Sequence, residues 1–211
     1  MQIKKYFYYG PFLFTTGAFQ AIGLGYYGEK NGQPRWDRVI GVIWYECEAA
    51  HSVATMFRVW NHQVHLWLKF YILARIQKGP RPSTFESMFT FVVSGFWHGF
   101  YPSYYLMFFT AALLQEVTKD VYKSWALFHQ IIPSATVRFV LAWILSNMCM
   151  NHNGVLFGAL TMEKSLFFLN HTYWYQLVGC TVLLIGMRAG NLVGISKKIE
   201  KKLEAGKAKK E

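Results

Sequence analysis

The stretch SMFTFVVSGFWHGFYPSYYLMFFTAALLQ, residues 87–115, contains no Asp, Glu, Lys or Arg. Roughly 20 predominantly apolar residues cross a hydrocarbon core as a helix, so a charge-free run of this length reads as membrane-embedded. Three further windows repeat the pattern: Tyr6–Gly28, Phe139–Met162 and Ser165–Met187. A weaker fifth, Val39–Phe57, is interrupted by Glu46, Glu48 and His51. Ionisable groups at such a depth have to face protein or water rather than lipid. Strict alternation of apolar and polar residues is absent, and backbone in lipid must satisfy its own hydrogen bonds. The fold class is therefore all-α: a polytopic membrane protein with about four to six membrane-embedded helices. The alternative is a soluble helical core, which would have to bury four such windows within 211 residues.

Composition points the same way. The chain is 53% hydrophobic and 18% aromatic, with only 16% charged residues, which excludes a disordered protein and argues against an ordinary cytosolic enzyme. Trp and Tyr crowd the window ends (Tyr6, Tyr8, Tyr9, Tyr26, Tyr27, Trp36, Trp125, Tyr173, Trp174), where amphipathic rings favour the headgroup level. The net charge is +11, and the segment from Arg188 to Glu211 carries about +5 of it. A basic tail beside an apolar body suits the anionic face of a membrane, and no nucleic-acid partner is expected. Cys47, Cys149 and Cys180 are too few and too scattered for a disulfide framework or a metal knuckle. No cleavable signal peptide follows Lys4 and Lys5, because no convincing small-residue cleavage site succeeds the apolar run. Loops are expected at Glu29–Arg38, with a turn at Asn31-Gly32, at Gln77–Pro82 and at Lys119–Pro133.

Two segments carry chemistry. In Trp60–Tyr71, the residues Trp60, Val64, Trp67, Leu68 and Tyr71 form one helical stripe. Asn61, His65 and Lys69 form a neighbouring polar lane. This predicts an amphipathic helix carrying Asn61, which either lies in the interface or lines a cavity. The second segment is Ser94–Tyr105. His98 is its one imidazole, in the middle of the most apolar window, and an intramembrane histidine is a functional hypothesis by default. Gly99 and Pro102 follow and predict a helix break, tolerated where backbone lines a cavity. The other reading is a histidine hydrogen-bonded across a helix pair at a proline kink.

Together the motifs Trp60-Asn61-x5-Trp67-Leu68 and Ser94-x-x-Trp97-His98-Gly99-x-x-Pro102-x-Tyr104-Tyr105 resemble the membrane-bound O-acyltransferase family, in its lysophospholipid acyltransferase branch. Gly23-Leu24-Gly25-Tyr26 with Gly28, and Trp36-Asp37-Arg38-Val39, are similar to the stretch leading into that branch's asparagine segment. The paired motifs are specific, whereas either alone is weak. Ser103 departs from the pattern, where the branch usually has glycine. The likeness covers the C-terminal half of the family's longer members. Residues 1–190 are thus expected to be a membrane domain of that kind, and 191–211 a basic cytosolic tail. The chain is expected to be a fragment, active only with a missing N-terminal half or partner subunit, and inserting into membranes without it.

The resemblance implies acyl transfer from acyl-CoA to a lysophospholipid hydroxyl. Membrane lipids, lysophospholipid and acyl-CoA are then the partners, and acyl-CoA is a co-substrate rather than a resident cofactor. Removing the hydroxyl proton suits a histidine base, and an imidazole kept neutral by apolar surroundings can accept it. His98 is that base. The resemblance makes Asn61 its partner, orienting the base or hydroxyl or donating to the developing oxyanion. Trp60, Trp97, Tyr101 and Tyr104, the aromatic neighbours of these two, are taken as substrate-binding residues. Cys47 has no nucleophile setting, so no acyl-enzyme is invoked. His51, His62 and His65 lack the paired histidine boxes of an intramembrane iron or zinc site, so no metal is assigned. His129, His152 and His171 read as loop or interface residues, and the sequon Asn170-His171-Thr172 as unused. Lys207 and Lys209 resemble a cytosolic dilysine signal, implying a multi-pass protein of the endoplasmic reticulum membrane with a cytosolic C-terminus. Two other readings stay open: a catalytically silent membrane scaffold or accessory subunit, and a relative acting on sterol, diacylglycerol or protein.

Overall fold

The computed structural model describes residues 2–208, with side chains from 5 to 205. Those residues form two compact units, Met1–Thr90 and Phe91–Glu211. Among them, no single helix is long and apolar enough by itself to cross a membrane. Two bent pairs reach that length and composition together: Trp125–Ile131 with Ala135–Ala159, bent by 117°, and Tyr175–Ala189 with Leu192–Ala205, bent by 56°. The architecture is helical, as the charge-free windows imply, but the windows do not map one to one onto helices. Residues 87–115 are split at Gly99–Tyr101, and 165–187 at Thr172–Trp174.

In the first unit, α1 (Gln2–Ala21) leads to a hairpin of β1 (Glu29–Lys30) and β2 (Gln33–Pro34). Asn31 and Gly32 turn it with φ of 55° and 73°, the left-handed pair that suits a two-residue turn. Helices α2 (Trp44–Ala49) and α3 (Val53–Trp60) follow. Ser52 starts α3, its side chain accepting from the Thr55 N–H at 3.1 Å. Tyr9, Val42, Cys47 and Val59 make the core, with Phe12, Ile43 and Trp60 packed on it. Glu48 accepts from the Tyr9 hydroxyl at 2.7 Å and pairs with Lys5 at 2.9 Å, so this acid of the fifth window faces protein.

The continuous helix expected over Trp60–Tyr71 is not formed. Helix α3 stops at Trp60, α4 covers His62–Trp67, a π-helical turn covers Leu68–Leu73, and α5 is Ala74–Ile76. The stripe from Trp60 to Tyr71 therefore does not run along one face. The break has a physical source: the irregular segment 41–43 supplies partners for the freed backbone groups. Gly41 C=O accepts from His62 N–H at 2.8 Å, and Ile43 N–H donates to Val59 C=O at 3.1 Å.

Helix α6 (Thr84–His98) crosses the unit boundary. It begins with a reciprocal cap: Glu86 N–H donates to Ser83 Oγ at 3.2 Å, and Ser83 N–H donates to the Glu86 carboxylate at 2.7 Å. Lys78 N–H adds a third bond to that carboxylate at 3.0 Å, closing the 77–83 loop over the helix start.

The second unit is built around α7 (Pro102–Lys123), which packs on α9 (Ala135–Ala159), α10 (Met162–His171), α11 (Tyr175–Ala189) and α12 (Leu192–Ala208). The expected loop at Lys119–Pro133 is instead the end of α7 and a short α8 (Trp125–Ile131). Its charges support helix: Lys119 pairs with Glu116 and Lys123 with Asp120 at i, i+3, and Arg188 of α11 reaches Asp120 at 2.8 Å and Glu116 at 3.4 Å. Buried acids so compensated need not signal a loop. The segment assigned as a basic tail starts as α12, which packs on α8 with Ser196 fully buried. Lys209 lies outside the described residues, as does the side chain of Lys207. His152 is not a loop residue: it is 3% exposed, inside α9, between Phe168 and Tyr175. The next residue, Asn153, is partnered by neighbouring helices. Asn153 Oδ1 accepts from Thr110 of α7 at 2.8 Å and from Gln176 of α11 at 3.2 Å.

Candidate functional site

His98 is the last residue of α6. Gly99 follows with φ +123°, a conformation that an L side chain rarely adopts, and the chain turns through Phe100 and Tyr101 into α7. Pro102 takes the first helical position of α7, where its missing N–H leaves no bond unmade. Gly95, one turn before His98, lets α6 approach α7 closely: a Cβ there would stand 3.2 Å from the ring of Phe108.

The imidazole is half-buried within an aromatic cage. It stacks on Phe108 (centroids 5.2 Å apart, planes at 25°), meets Phe157 of α9 edge-on at 5.1 Å and 85°, and lies 5.9 Å from Tyr104. Tyr104 stacks in turn on Phe157 at 4.6 Å and meets Tyr101 edge-on at 5.6 Å. Among the described residues, no hydrogen bond holds either ring nitrogen of His98. Rings fix the imidazole plane, and its nitrogens are available to another group. Neighbouring Trp97 and Tyr101 are about half exposed.

Of the residues singled out in the sequence, His98, Trp97, Tyr101 and Tyr104 therefore gather at one place in the second unit. Asn61 and Trp60 belong to the first. Asn61 is the junction between α3 and α4, with φ −129° and ψ 75°. Its carbonyl accepts from His65 N–H at 2.9 Å, while its side chain caps nothing on α4 and stays half-buried. Trp60 packs its indole against Tyr8, Tyr9 and Phe12 of α1, with centroids 5.7–6.3 Å apart, a structural anchor rather than a free platform. A hydrogen-bond relay sets the junction's position: Thr16 Oγ1 donates to Phe12 C=O, Gly41 N–H donates to Thr16 Oγ1, and Gly41 C=O accepts from His62. Near it, His62 Nδ1 lies 3.0 Å from the Arg58 carbonyl oxygen. Burial, then the charges of His62, Lys69 and Arg58, lowers the pKa of His65. Among the described residues no three His, Cys, Asp or Glu side chains stand together to hold a metal ion.

The sequence motifs give no sign of Phe108 or Phe157 as site residues, and mark Ser103 only as a departure from the family pattern. Phe108 was within reach, since Tyr104 and Phe108 are i, i+4 on α7 and must share a face. Phe157 had no local signal, because α9 is brought to His98 by packing alone.

A helical chain with a caged histidine at a glycine–proline break, and an asparagine at a helix junction, defines a recognisable class. Residues 1–150 match the family model of the membrane-bound O-acyltransferases, and the chain belongs to that family. It is a helical membrane protein. It is 38% identical over 120 residues to the lysophospholipid acyltransferase of Saccharomyces cerevisiae, covering 56% of this chain and 19% of that one. With the lysophospholipid acyltransferase of Schizosaccharomyces pombe it shares 31% over 180 residues, covering 79% and 35%. With the human membrane-bound glycerophospholipid O-acyltransferase 2 it shares 30% over 185 residues, covering 84% and 34%. The chain thus spans between about a fifth and a third of the length of these relatives.

Proposed function

We propose that this chain carries the base of an acyl-transfer site, moving an acyl group from acyl-CoA to a lysophospholipid hydroxyl. The observation that supports it best is His98: an imidazole fixed by four rings, Trp97, Tyr104, Phe108 and Phe157, at a helix break, with its nitrogens available. In the step, His98 accepts the hydroxyl proton as the oxygen attacks the thioester carbonyl. The tetrahedral intermediate then expels the CoA thiolate, and the proton held by His98 balances it. Asn61 donates to the oxyanion or orients the hydroxyl, a role supported by the motif resemblance and by a side chain that is not used for capping. Tyr101, Tyr104 and Trp97 offer apolar walls to substrate, and acyl-CoA is a co-substrate with no resident cofactor. The printed names of the three relatives support this substrate class.

The reading extends to place. The protein is a multi-pass component of the endoplasmic reticulum membrane, with the lysines of α12 on the cytosolic side by the positive-inside rule. A further segment or partner subunit completes the substrate tunnel.

The test is transfer of a labelled acyl group from acyl-CoA to a panel of lysophospholipids, in membranes of a host lacking that activity. His98→Ala at matched abundance is expected to lower transfer by at least about 100-fold. Absence of His98-dependent transfer overturns the reading.

A further inference from the structure

Ser103 follows Pro102 at the start of α7, and none of it is exposed. Its hydroxyl donates to the carbonyl of Leu156, and its oxygen lies 2.7 Å from Ser165 Oγ in the first turn of α10. With the Ser103 proton on Leu156, Ser165 is the donor to Ser103, and the Thr161 carbonyl, 3.0 Å from Ser165 Oγ, is its alternative acceptor. Leu156 is in the last turn of α9, where carbonyls have no helical donor of their own. Ser103 thus caps the end of α9 from a different helix and joins α7, α9 and α10 at one point.

The neighbours in sequence give that point its consequence. Ser103 precedes Tyr104, and Leu156 precedes Phe157. A hydrogen bond between the first members fixes how the second members stack, 4.6 Å apart with planes at 22°. Both of those rings face His98, at 5.9 and 5.1 Å. We propose that Ser103 is a positioning residue for His98: through the Leu156 carbonyl it holds the Tyr104–Phe157 wall that fixes the imidazole. The catalytic consequence rests on the reading of His98 as the base. The positioning itself does not.

The test needs no turnover. Diethyl pyrocarbonate acylates neutral imidazole nitrogens, and its rate at His98 in the full chain in detergent is read by mass spectrometry. Ser103→Ala is expected to raise that rate at least about threefold, since a wall freed by even 1 Å exposes the ring. Ser124→Ala, an equally buried serine at the α7–α8 junction, should leave it unchanged. Ser103→Cys, of similar volume and a weaker donor, should fall between and serves if the alanine variant fails to fold. An unchanged rate in the Ser103 variants, or an equal rise in Ser124→Ala, overturns the proposal. Where transfer depends on His98, Ser103→Ala should lower kcat about tenfold with KM within about twofold. A rise in KM at constant kcat counts against it. If Ser103 controls His98 reactivity but transfer ignores His98, the positioning stands and the acyl-transfer reading falls; the reverse result removes the positioning alone.

Discussion

The imidazole of His98, at the end of α6, stacks on the phenyl ring of Phe108, with centroids 5.2 Å apart and planes at 25°. Two helices joined by only three residues thus hold the one imidazole of the charge-free window against a buried ring. Stacking fixes the plane of the imidazole while leaving the in-plane lone pair unused, which is what a proton acceptor requires.

Phe108→Leu keeps an apolar side chain but removes the flat surface. The expected result is a fall of about tenfold in kcat with KM changed less than about twofold, because ring orientation matters most in the transition state. Steady-state kinetics at matched membrane abundance check it, and an unchanged kcat would remove Phe108 from the site.

Asn61→Ala should leave abundance and unfolding temperature nearly unchanged, since the side chain makes no cap bond to α4. Turnover should drop more than substrate binding weakens, as expected for a group acting on developing charge. A pure rise in KM would make Asn61 a binding residue instead.

Asn153→Leu deletes the acceptor shared by Thr110 and Gln176, which ties α9 to α7 and α11. Interhelical hydrogen bonds in membrane proteins average about 0.6 kcal/mol each, so a loss of roughly 1 kcal/mol is expected. Reversible unfolding in mixed detergent micelles measures it. A stability gain would show that the bridge is not favourable.

Glu86 supplies a pH-dependent contribution. The N–H groups of Ser83 and Lys78 lower its carboxyl pKa from the ordinary 4.5. A carboxyl depressed in the folded state contributes fully above its unfolded value and loses that contribution as pH falls through the folded one. Glu86→Gln should therefore be less stable than wild type at pH 7, with the gap closing below about pH 4.5. Thermal unfolding at pH 7, 5 and 3.5 reads it, and a gap independent of pH would mean that the charge is irrelevant to the cap.

Residues 31–32 and 98–102 show what the sequence by itself determined. Asn-Gly can adopt two consecutive left-handed conformations, and glycine followed by proline cannot continue a helix, so both turns were legible from local sterics. The absence of charge over long windows likewise determined a helical membrane protein. Other breaks were decided by tertiary structure. The cut of window 165–187 at Tyr173 and Trp174, both at positive φ with no glycine or proline nearby, is by contrast local: Trp174 bonds Asn170 Oδ1 and the Leu169 carbonyl within the same turn. The α3–α4 junction at Asn61 forms because Gly41 and Ile43 offer partners from far along the chain. The cage around His98 is completed by Phe157 from α9, and its wall is set by Ser103 meeting Leu156 across 53 residues. A periodicity reports only which residues share a face. Which distant groups arrive to satisfy a freed backbone bond or to wall an imidazole depends on how the helices pack, and that is settled only in three dimensions.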